Sequence, residues 1–385
     1  MKNNSAPKLL IHHHGLAYLD EDTIWVQSFL GRWILALSDV FPNIGLLFTE
    51  VNLKLDSLDT PLKKNNIKLE SFGVAIKKRM ITPNKELKEK VQKVSKNYDI
   101  LLIRGITPRQ YLVFKNAQCK TKYFLLVGSI KASKPIFQFN ILSLFFIYRY
   151  YYHLRCLRKI AKKSQVLANS PEIVKELSSV LNIPAIYIPT NTLSINEIPA
   201  YSPFIPKNEI NWVFCGRIVH DKGVEELIDA LYLYNKKGYK GNLTFIGKGS
   251  DTYIALLKNK IDSYNLNSQV NFAGFKQFGK GLFAIYLKCD IFILPSWHEG
   301  FPHSIWEAAS YSLPIVVTSV GGIPGIVNSK QVSFVEVRNP EAICNACIDI
   351  LINPELANRK TMNIYDLSKS YTVEECAKQL HKVIN

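Results

Sequence analysis

The sequence predicts an α/β protein built from two doubly wound, Rossmann-like domains that face a cleft. Three observations carry this. Short apolar β-type runs alternate with longer amphipathic runs. Many of the short runs end at a glycine-containing turn, as strands that feed helices do. A segment with Pro199, Pro203 and Pro206 interrupts the pattern near its middle. Such a run disfavours both helix and central strand, so Pro199–Asn208 reads as a linker. The expected domains are 1–200 and 201–370, with a last helix over 371–385 placed to pack back on the first. A chain of 385 residues suits two domains at roughly 150 residues each.

In the first half, Leu9–His12, Gly45–Phe48, Ile100–Ile103, Tyr123–Val127 and Gln165–Ala168 read as strands. Helices fit near Trp25–Leu37, Lys85–Lys96 and Glu172–Leu181. The second half is cleaner. Strand Asn211–Cys215 stops at Gly216, and Val224–Tyr234 follows as a helix with Val224, Leu227, Ile228 and Leu231 on one stripe. Strand Leu243–Ile246 closes at Gly247 and precedes helix Asp251–Tyr264. Strand Val270–Phe272 precedes a helix near Leu282–Leu287. Strand Ile291–Leu294 precedes helix Ser304–Tyr311, and Ile315–Val317 is the next strand. In such sheets ligands bind beyond the carboxyl ends of the strands.

Composition narrows the class. With 47% hydrophobic and 21% charged residues, disorder, collagen-like repeats and coiled coil are excluded. Seven cysteines are too few for a disulfide scaffold, and Cys344 with Cys347 in an apolar helical stretch read as core thiols. No apolar leader follows Met1–Lys8, so a cytoplasmic location is expected. The net charge of +17 is uneven: residues 1–200 carry +15 and residues 201–385 only +2. Between Asp99 and Glu172 stand 13 basic residues and no acidic one. That predicts an anionic partner for the first half: nucleic acid, anionic lipid or a phosphate-bearing substrate.

Two constellations carry chemistry. Gly216-Arg217-Ile218-Val219-His220-Asp221-Lys222-Gly223 lies between a strand and a helix. Arg217 and Lys222 beside a helix N-terminus make an anion site suited to a diphosphate; the alternative is a solvated loop. Gly247-Lys248-Gly249 is a second such turn, for which a plain tight turn is the alternative. The sharper constellation runs from Pro295 to Ala309. Glu299 lies in its loop and Glu307 about a turn into the helix, and both can face one pocket. The Gly300-Phe301-Pro302-His303-Ser304 loop leaves backbone N–H groups free near the helix start. Carboxylates beside donors suit a ligand with many hydroxyls and a phosphate. Gly321-Gly322 follows the next strand, in position to approach the same pocket.

The Glu299-to-Glu307 spacing resembles the E-x7-E motif of retaining GT-B glycosyltransferases, family 4, "glycosyl transferases group 1". The resemblance runs over about residues 211–339, through "FCGRIVHDKGVEELIDAL", "LTFIGKGSD", "VNFAGF" and "CDIFILPSWHEGFPHSIWEAASYSLPIVVTSVGGIPGIV". In the first half only "VLANSPEIVKEL" and "AIYIPT" match loosely. The resemblance implies that Arg217 and Lys222 hold the diphosphate of a nucleotide-sugar donor of UDP or GDP type. It implies that Glu307 bonds the ribose and that Glu299 lies near the donor sugar. Gly216, Gly247, Gly249 and the Gly300–Ser304 backbone would line the donor site. The chain departs from the family in three places: Gly128-Ser129 follows Tyr123–Val127 where a His is common, Ser312 replaces a glycine, and Gly325 stands where an acidic residue is usual.

On the acceptor side the candidates are His12, His14 and Gly15, at a strand's cleft end, and Arg104. For the histidines a metal, an acceptor or donor contact and a structural role all stand, although neighbours on a strand point to opposite faces. Arg104 either meets a phosphate or lies on the surface. The only Asp-x-Asp triplet is Asp20-Glu21-Asp22, outside the second domain, so metal-independent transfer without a cofactor is expected. The aromatic and basic stretch Ile136–Lys163 is too short in its apolar part to span a bilayer. It reads as an interfacial helix on an anionic leaflet, or as a buried helix followed by a basic surface helix. The expected partners are a nucleotide sugar, a glycan or polyprenyl-diphosphate-linked acceptor and the inner membrane face. The product would be a surface polysaccharide such as O-antigen, capsule or exopolysaccharide. The rivals are a same-fold epimerase or phosphorylase and a nucleic-acid-binding protein. No nucleic-acid module is recognisable, so no nucleic acid is expected.

Overall fold

Alternate residues of the first strand feed two different cores. Leu9 and Ile11 join one apolar cluster, and Leu10 joins another. Leu46 and Leu47 divide in the same way, as do Leu102 and Ile103. A sheet covered on both faces dictates this, and it explains why its strands read as unbroken apolar runs. The computed structural model describes residues 6–76, 79–105, 107–128 and 141–385, without the side chains of 108 and 141–143.

The described residues up to Thr192, together with Val373–Asn385, form one unit, and Leu193–Thr372 the other. The first opens with β1 (Leu9–Asp20), β2 (Thr23–Val26), α1 (Ser28–Val40) and β3 (Ile44–Val51). Short strands β4 (Thr60–Leu62), β5 (Ile67–Leu69), β6 (Gly73–Ile76) and β7 (Arg79–Met80) follow. Then come α2 (Asn84–Ser95), β8 (Ile100–Arg104), α3 (Pro108–Asn116), β9 (Thr121–Leu126), α4 (Ile141–Ala161), β10 (Gln165–Ala168), α5 (Pro171–Leu181) and β11 (Ala185–Tyr187). The sheet's spine has the order β11-β10-β9-β8-β1-β3-β6 and is parallel throughout. The order reverses between β1 and β8. Local signals set the helix ends: Ser170 caps α5 through its side chain, and Asn182 ends it at φ 54°.

The second unit contains β12 (Glu209–Cys215), α6 (Val224–Lys236), β13 (Lys240–Ile246), α7 (Asp251–Ser263), β14 (Val270–Gly274) and α8 (Lys280–Tyr286). It continues with β15 (Ile291–Leu294), α9 (His303–Ser310), β16 (Ile315–Thr318), β17 (Ser333–Val335), α10 (Pro340–Ile352) and α11 (Pro354–Lys369). Its parallel sheet runs β14-β13-β12-β15-β16-β17, the 3-2-1-4-5-6 order of the Rossmann fold. Its switch point lies between β12 and β15.

Two features differ from the sequence reading. Trp25 begins no helix. Thr23–Val26 is a strand that pairs with β1 and β4, because Ile24 and Val26 alternate inward after the exposed Asp20-Glu21-Asp22 turn. The proline segment is not a free linker. Asn358 clamps it to the second unit: its Nδ2 donates to Phe204 O (3.0 Å) and its Oδ1 accepts from Phe204 N (2.7 Å). Tyr365 donates to Pro199 O (2.8 Å), and Phe204 is buried. Helix α12 (Val373–Ile384) belongs to the first unit, where Val373, Ala377, Leu380 and Ile384 share a core with Leu30, Ile34 and Leu37 of α1.

The stretch Ile136–Lys163 is described from Ile141, and 136–140 lie outside the described residues. Leu144, Phe145, Phe146, Tyr148, Tyr151 and Tyr152 of α4 are exposed, whereas Leu154, Leu157 and Ile160 are buried. Lys159, Lys162 and Lys163 line a 540 Å³ cavity with Lys115, Lys120 and Lys122. No helix among the described residues is long and apolar enough to cross a membrane.

Candidate functional site

Three turns meet at the carboxyl end of the second sheet. The amide of Gly216 donates to Ile246 O, and that of Ile218 to Lys248 O, so the first and second turns are sewn together. They pass so closely that a Cβ on Gly247, at φ +149°, would stand 1.8 Å from Gly216 O. One on Gly249 would stand 2.5 Å from Ile218 O. Gly223, at φ +68°, lets the chain enter α6 past Pro295 O, only 2.2 Å from where a Cβ would be. Trp297 N donates to Asp221 O (2.9 Å) and Gly322 N to Gly300 O (2.8 Å). Gly223, Gly247 and Gly249 are required by backbone approach.

This frame brings Lys222 and Glu299 together. Lys222 Nζ donates to Glu299 Oε1 (2.5 Å), which also accepts from Ser296 Oγ (2.7 Å). Both charged side chains are about nine-tenths buried. Glu299 Oε2 has no hydrogen-bond partner among the described residues and is available to a ligand hydroxyl. Ser296 is itself fixed, because Thr318 Oγ1 donates to its carbonyl. Arg217 is exposed on the first turn and makes no ion pair among the described residues, so its charge is uncommitted. Glu307 lies inside: it is 8% exposed, and Tyr286 donates to its Oε2 (2.9 Å). Burial pushes its pKa up to about 7, against the smaller effect of the tyrosine bond. Burial, with Glu307 beside it, also pushes the Cys215 thiol up to about 12.

In the Gly300–Ser304 loop the parts divide their work. Phe301 packs on Trp306, with ring centroids 4.9 Å apart, and Trp306 stacks on Tyr371. Pro302 stands at the N-cap of α9, which has no side-chain cap, and His303 and Ser304 open the helix. The sequence reading missed Tyr286, Ser296 and Trp297. Tyr286 reads as a core residue of α8, and only its need for a buried partner hints otherwise. Trp297 is held by Glu226 through Nε1 (3.1 Å), and the Arg338 guanidinium lies 3.9 Å above its ring.

The first unit's candidates gather at its own switch point. His12 is buried, and its Nδ1 is 2.6 Å from Leu47 O. Burial lowers its pKa to about 4 and that of His13 to about 2. His14 is exposed and is lowered too, first by burial and then by Arg104. Gly15 N donates to His13 Nδ1, and Arg104 is buried at the end of β8. The His13 and His14 rings lie 4.1 Å apart, and His14 lines one cavity with His12 and another with His13. Among the described residues no cluster of three His, Cys, Asp or Glu is placed to hold a metal ion.

Comparisons with known proteins locate these features. Residues 200–366 match the family "Glycosyl transferases group 1". An uncharacterized glycosyltransferase of Methanocaldococcus jannaschii is 30% identical over 175 residues, 44% of this chain and 46% of that protein. The capsular polysaccharide biosynthesis glycosyltransferase CapM of Staphylococcus aureus is 32% identical over 146 residues, 37% of this chain and 36% of its own. The chain thus spans less than half the length of these curated relatives. A glycosyltransferase structure from Rickettsia africae superposes with a TM-score of 0.68 at 16% identity, covering 98% of both chains. The Anabaena HepE structure with UDP-glucose gives 0.70 at 16% identity, covering 98% of this chain and 99% of that one. The α/β fold with parallel, Rossmann-like sheets is that of GT-B glycosyltransferases, and the second unit carries a glycosyl transferases group 1 domain.

Proposed function

We propose that the chain is a retaining family-4 glycosyltransferase that moves a sugar from a nucleotide-sugar donor, of UDP or GDP type, to a glycan acceptor. One observation carries the reading. Glu299, held by Lys222 and Ser296, and the enclosed Glu307 lie beyond β15, at the switch point of a Rossmann sheet. In this reading Glu307 accepts from the ribose hydroxyls and Glu299 Oε2 from a hydroxyl of the donor sugar. Arg217, Lys222 and the uncapped start of α9 stabilise the departing diphosphate, in place of a metal ion. The bond from the sugar's anomeric carbon to the phosphate oxygen breaks, and the acceptor hydroxyl attacks from the same face. Its proton passes to the leaving phosphate.

The acceptor binds the basic first unit. A polyprenyl-diphosphate-linked glycan fits the charge of that half, and the exposed aromatics of α4 beside its lysines suit the inner membrane face. The role is then in surface-polysaccharide assembly. The relative CapM, whose name is that of a capsule enzyme, supports it. The test is a thermal-shift screen of UDP-, GDP- and ADP-sugars, then transfer assays with the best donor and NMR of the product's anomeric centre. A product of inverted configuration, or no stabilisation by any nucleotide sugar, overturns the proposal.

A further inference from the structure

At the first unit's switch point a cavity of 570 Å³ is lined by His13, His14, Gly15, Gln27, Phe29 and Arg104, among others. Arg104 is 8% exposed, yet its Nε and Nη1 have no hydrogen-bond partner among the described residues. Its guanidinium carbon sits 5.4 Å from the Phe29 ring and 5.2 Å from the Trp33 ring. Aromatic faces steady a cation but accept no N–H bond along its fork. No carboxylate lines the cavity among the described residues. A buried charge without a counter-ion is costly, and such groups are ordinarily paired. A second feature points the same way. Helix α1 starts at this cavity, with Gln27 at its N-cap making no side-chain cap bond and no acidic residue in its first turn. A 13-residue helix presents unsatisfied N–H groups and the positive end of its dipole there.

We propose that this cavity binds a singly charged oxyanion on a hydroxylated ligand, such as the carboxylate of a uronic acid or the phosphodiester of a phosphate-linked glycan. A guanidinium fork matches two oxygens of one such group. The charge count sets the class. Among the described residues one guanidinium lines the cavity, and burial keeps its histidines uncharged at neutral pH. A diphosphate would exceed that charge. Neutral His14 and Gln27 are left to bond hydroxyls. A second arginine, Arg109, lines a separate 340 Å³ cavity that shares His14 and Leu16. The inference deepens the glycosyltransferase reading, because it rests on the first unit taking the acceptor. It gives that acceptor a negative charge at the docked sugar.

The experiment is direct binding without donor, by titration calorimetry and ligand-observed NMR. The probes are methyl glucuronide, methyl glucoside, bis-glycerol phosphate and pyrophosphate. Glucuronide or the diester should bind at least tenfold more tightly than glucoside and no more weakly than pyrophosphate. Which of the two leads identifies the source of the charge. Arg104→Gln should abolish the preference, Arg104→Lys should reduce it without abolishing it, and Arg109→Gln should leave it intact. Circular dichroism checks that each variant is folded, and the Lys variant serves if the Gln variant is not. Binding of both the glucuronide and the diester no tighter than that of glucoside overturns the inference. So does an unchanged preference in a folded Arg104 variant, its loss in Arg109→Gln, tighter binding of pyrophosphate, or no binding at all. Donor binding is read separately with UDP and GDP, so failure there sinks the glycosyltransferase reading without altering this result.

Discussion

Glu307→Gln separates what the enclosed carboxyl does for stability from what it does for a ligand. In the folded protein burial holds its pKa at about 7, against an ordinary 4.5. An acid whose folded pKa is raised keeps its proton longer in the folded state. Its neutral form is fully accommodated below about pH 4.5, and stability then falls as pH rises towards 7. Above that the loss is constant. The rise from 4.5 to about 7, at about 1.36 kcal/mol for each factor of ten in proton affinity, makes it about 3 kcal/mol. Glutamine has nearly the same shape, accepts the Tyr286 hydroxyl and carries no charge to desolvate. Denaturant unfolding of both proteins at pH 5 and pH 8.5 measures the difference, and every other titrating group cancels between them. The variant should gain up to about 3 kcal/mol over the parent at pH 8.5 relative to pH 5. An equal gap at both pH values would refute the reasoning. The same variant should bind the donor nucleotide more weakly, having lost the charged acceptor for its ribose.

Arg217→Ala should lower turnover by about 10²–10³ with KM less affected, since its contact strengthens as the diphosphate leaves; turnover within a few-fold of the parent would remove it from the site. Activity should survive EDTA, and an enzyme silenced by chelation and rescued by Mg²⁺ or Mn²⁺ would show that the basic pair does not replace a metal. Gly247→Ala should cost the second unit at least about 2 kcal/mol, because its φ of +149° and the Gly216 carbonyl leave no room for a Cβ; an unchanged melting temperature would contradict that packing. Vesicles rich in anionic lipid should co-sediment the protein at low salt, at on the order of 1 kcal/mol per basic residue near the surface. Changing Arg155, Arg158, Lys159, Lys162 and Lys163 together to Gln should release it, and sedimentation like the parent's would assign that face elsewhere.

The second unit was legible from its sequence because its strands are apolar runs set apart by amphipathic helices, and several stop at a glycine, of which Gly247 is demanded by close backbone approach. Ile291–Leu294 is a strand over the expected residues. The first unit hid its start. Thr23–Val26 is too short to show its alternation against the amphipathic run behind it, and β1 extends to Asp20 through three histidines that break the apolar pattern. The proline segment misled for another reason: prolines announce an irregular backbone, but not the asparagine over 150 residues later that clamps it. Of the candidate site, the charged residues were readable. The pairing of Lys222 with Glu299 was not, since they stand 77 positions apart. Nor was the lack of a partner for Arg104 Nε and Nη1 among the described residues, which depends on the groups the fold places around them.

The place of α12 has a consequence for how the chain is made. The first unit is discontinuous in sequence, with the 180 residues Leu193–Thr372 inserted before its last helix. On the ribosome the second unit can complete its core as soon as its own residues emerge. The first unit cannot, because Leu30, Ile34 and Leu37 wait for Val373, Ala377, Leu380 and Ile384. At about 5–20 residues per second the wait is about 10–40 s. Through that interval the apolar face of α1 lacks its cover and is a natural client for a chaperone. A copy cut at Thr372 would leave that face open permanently, so truncation should harm the solubility of the first unit more than the folding of the second.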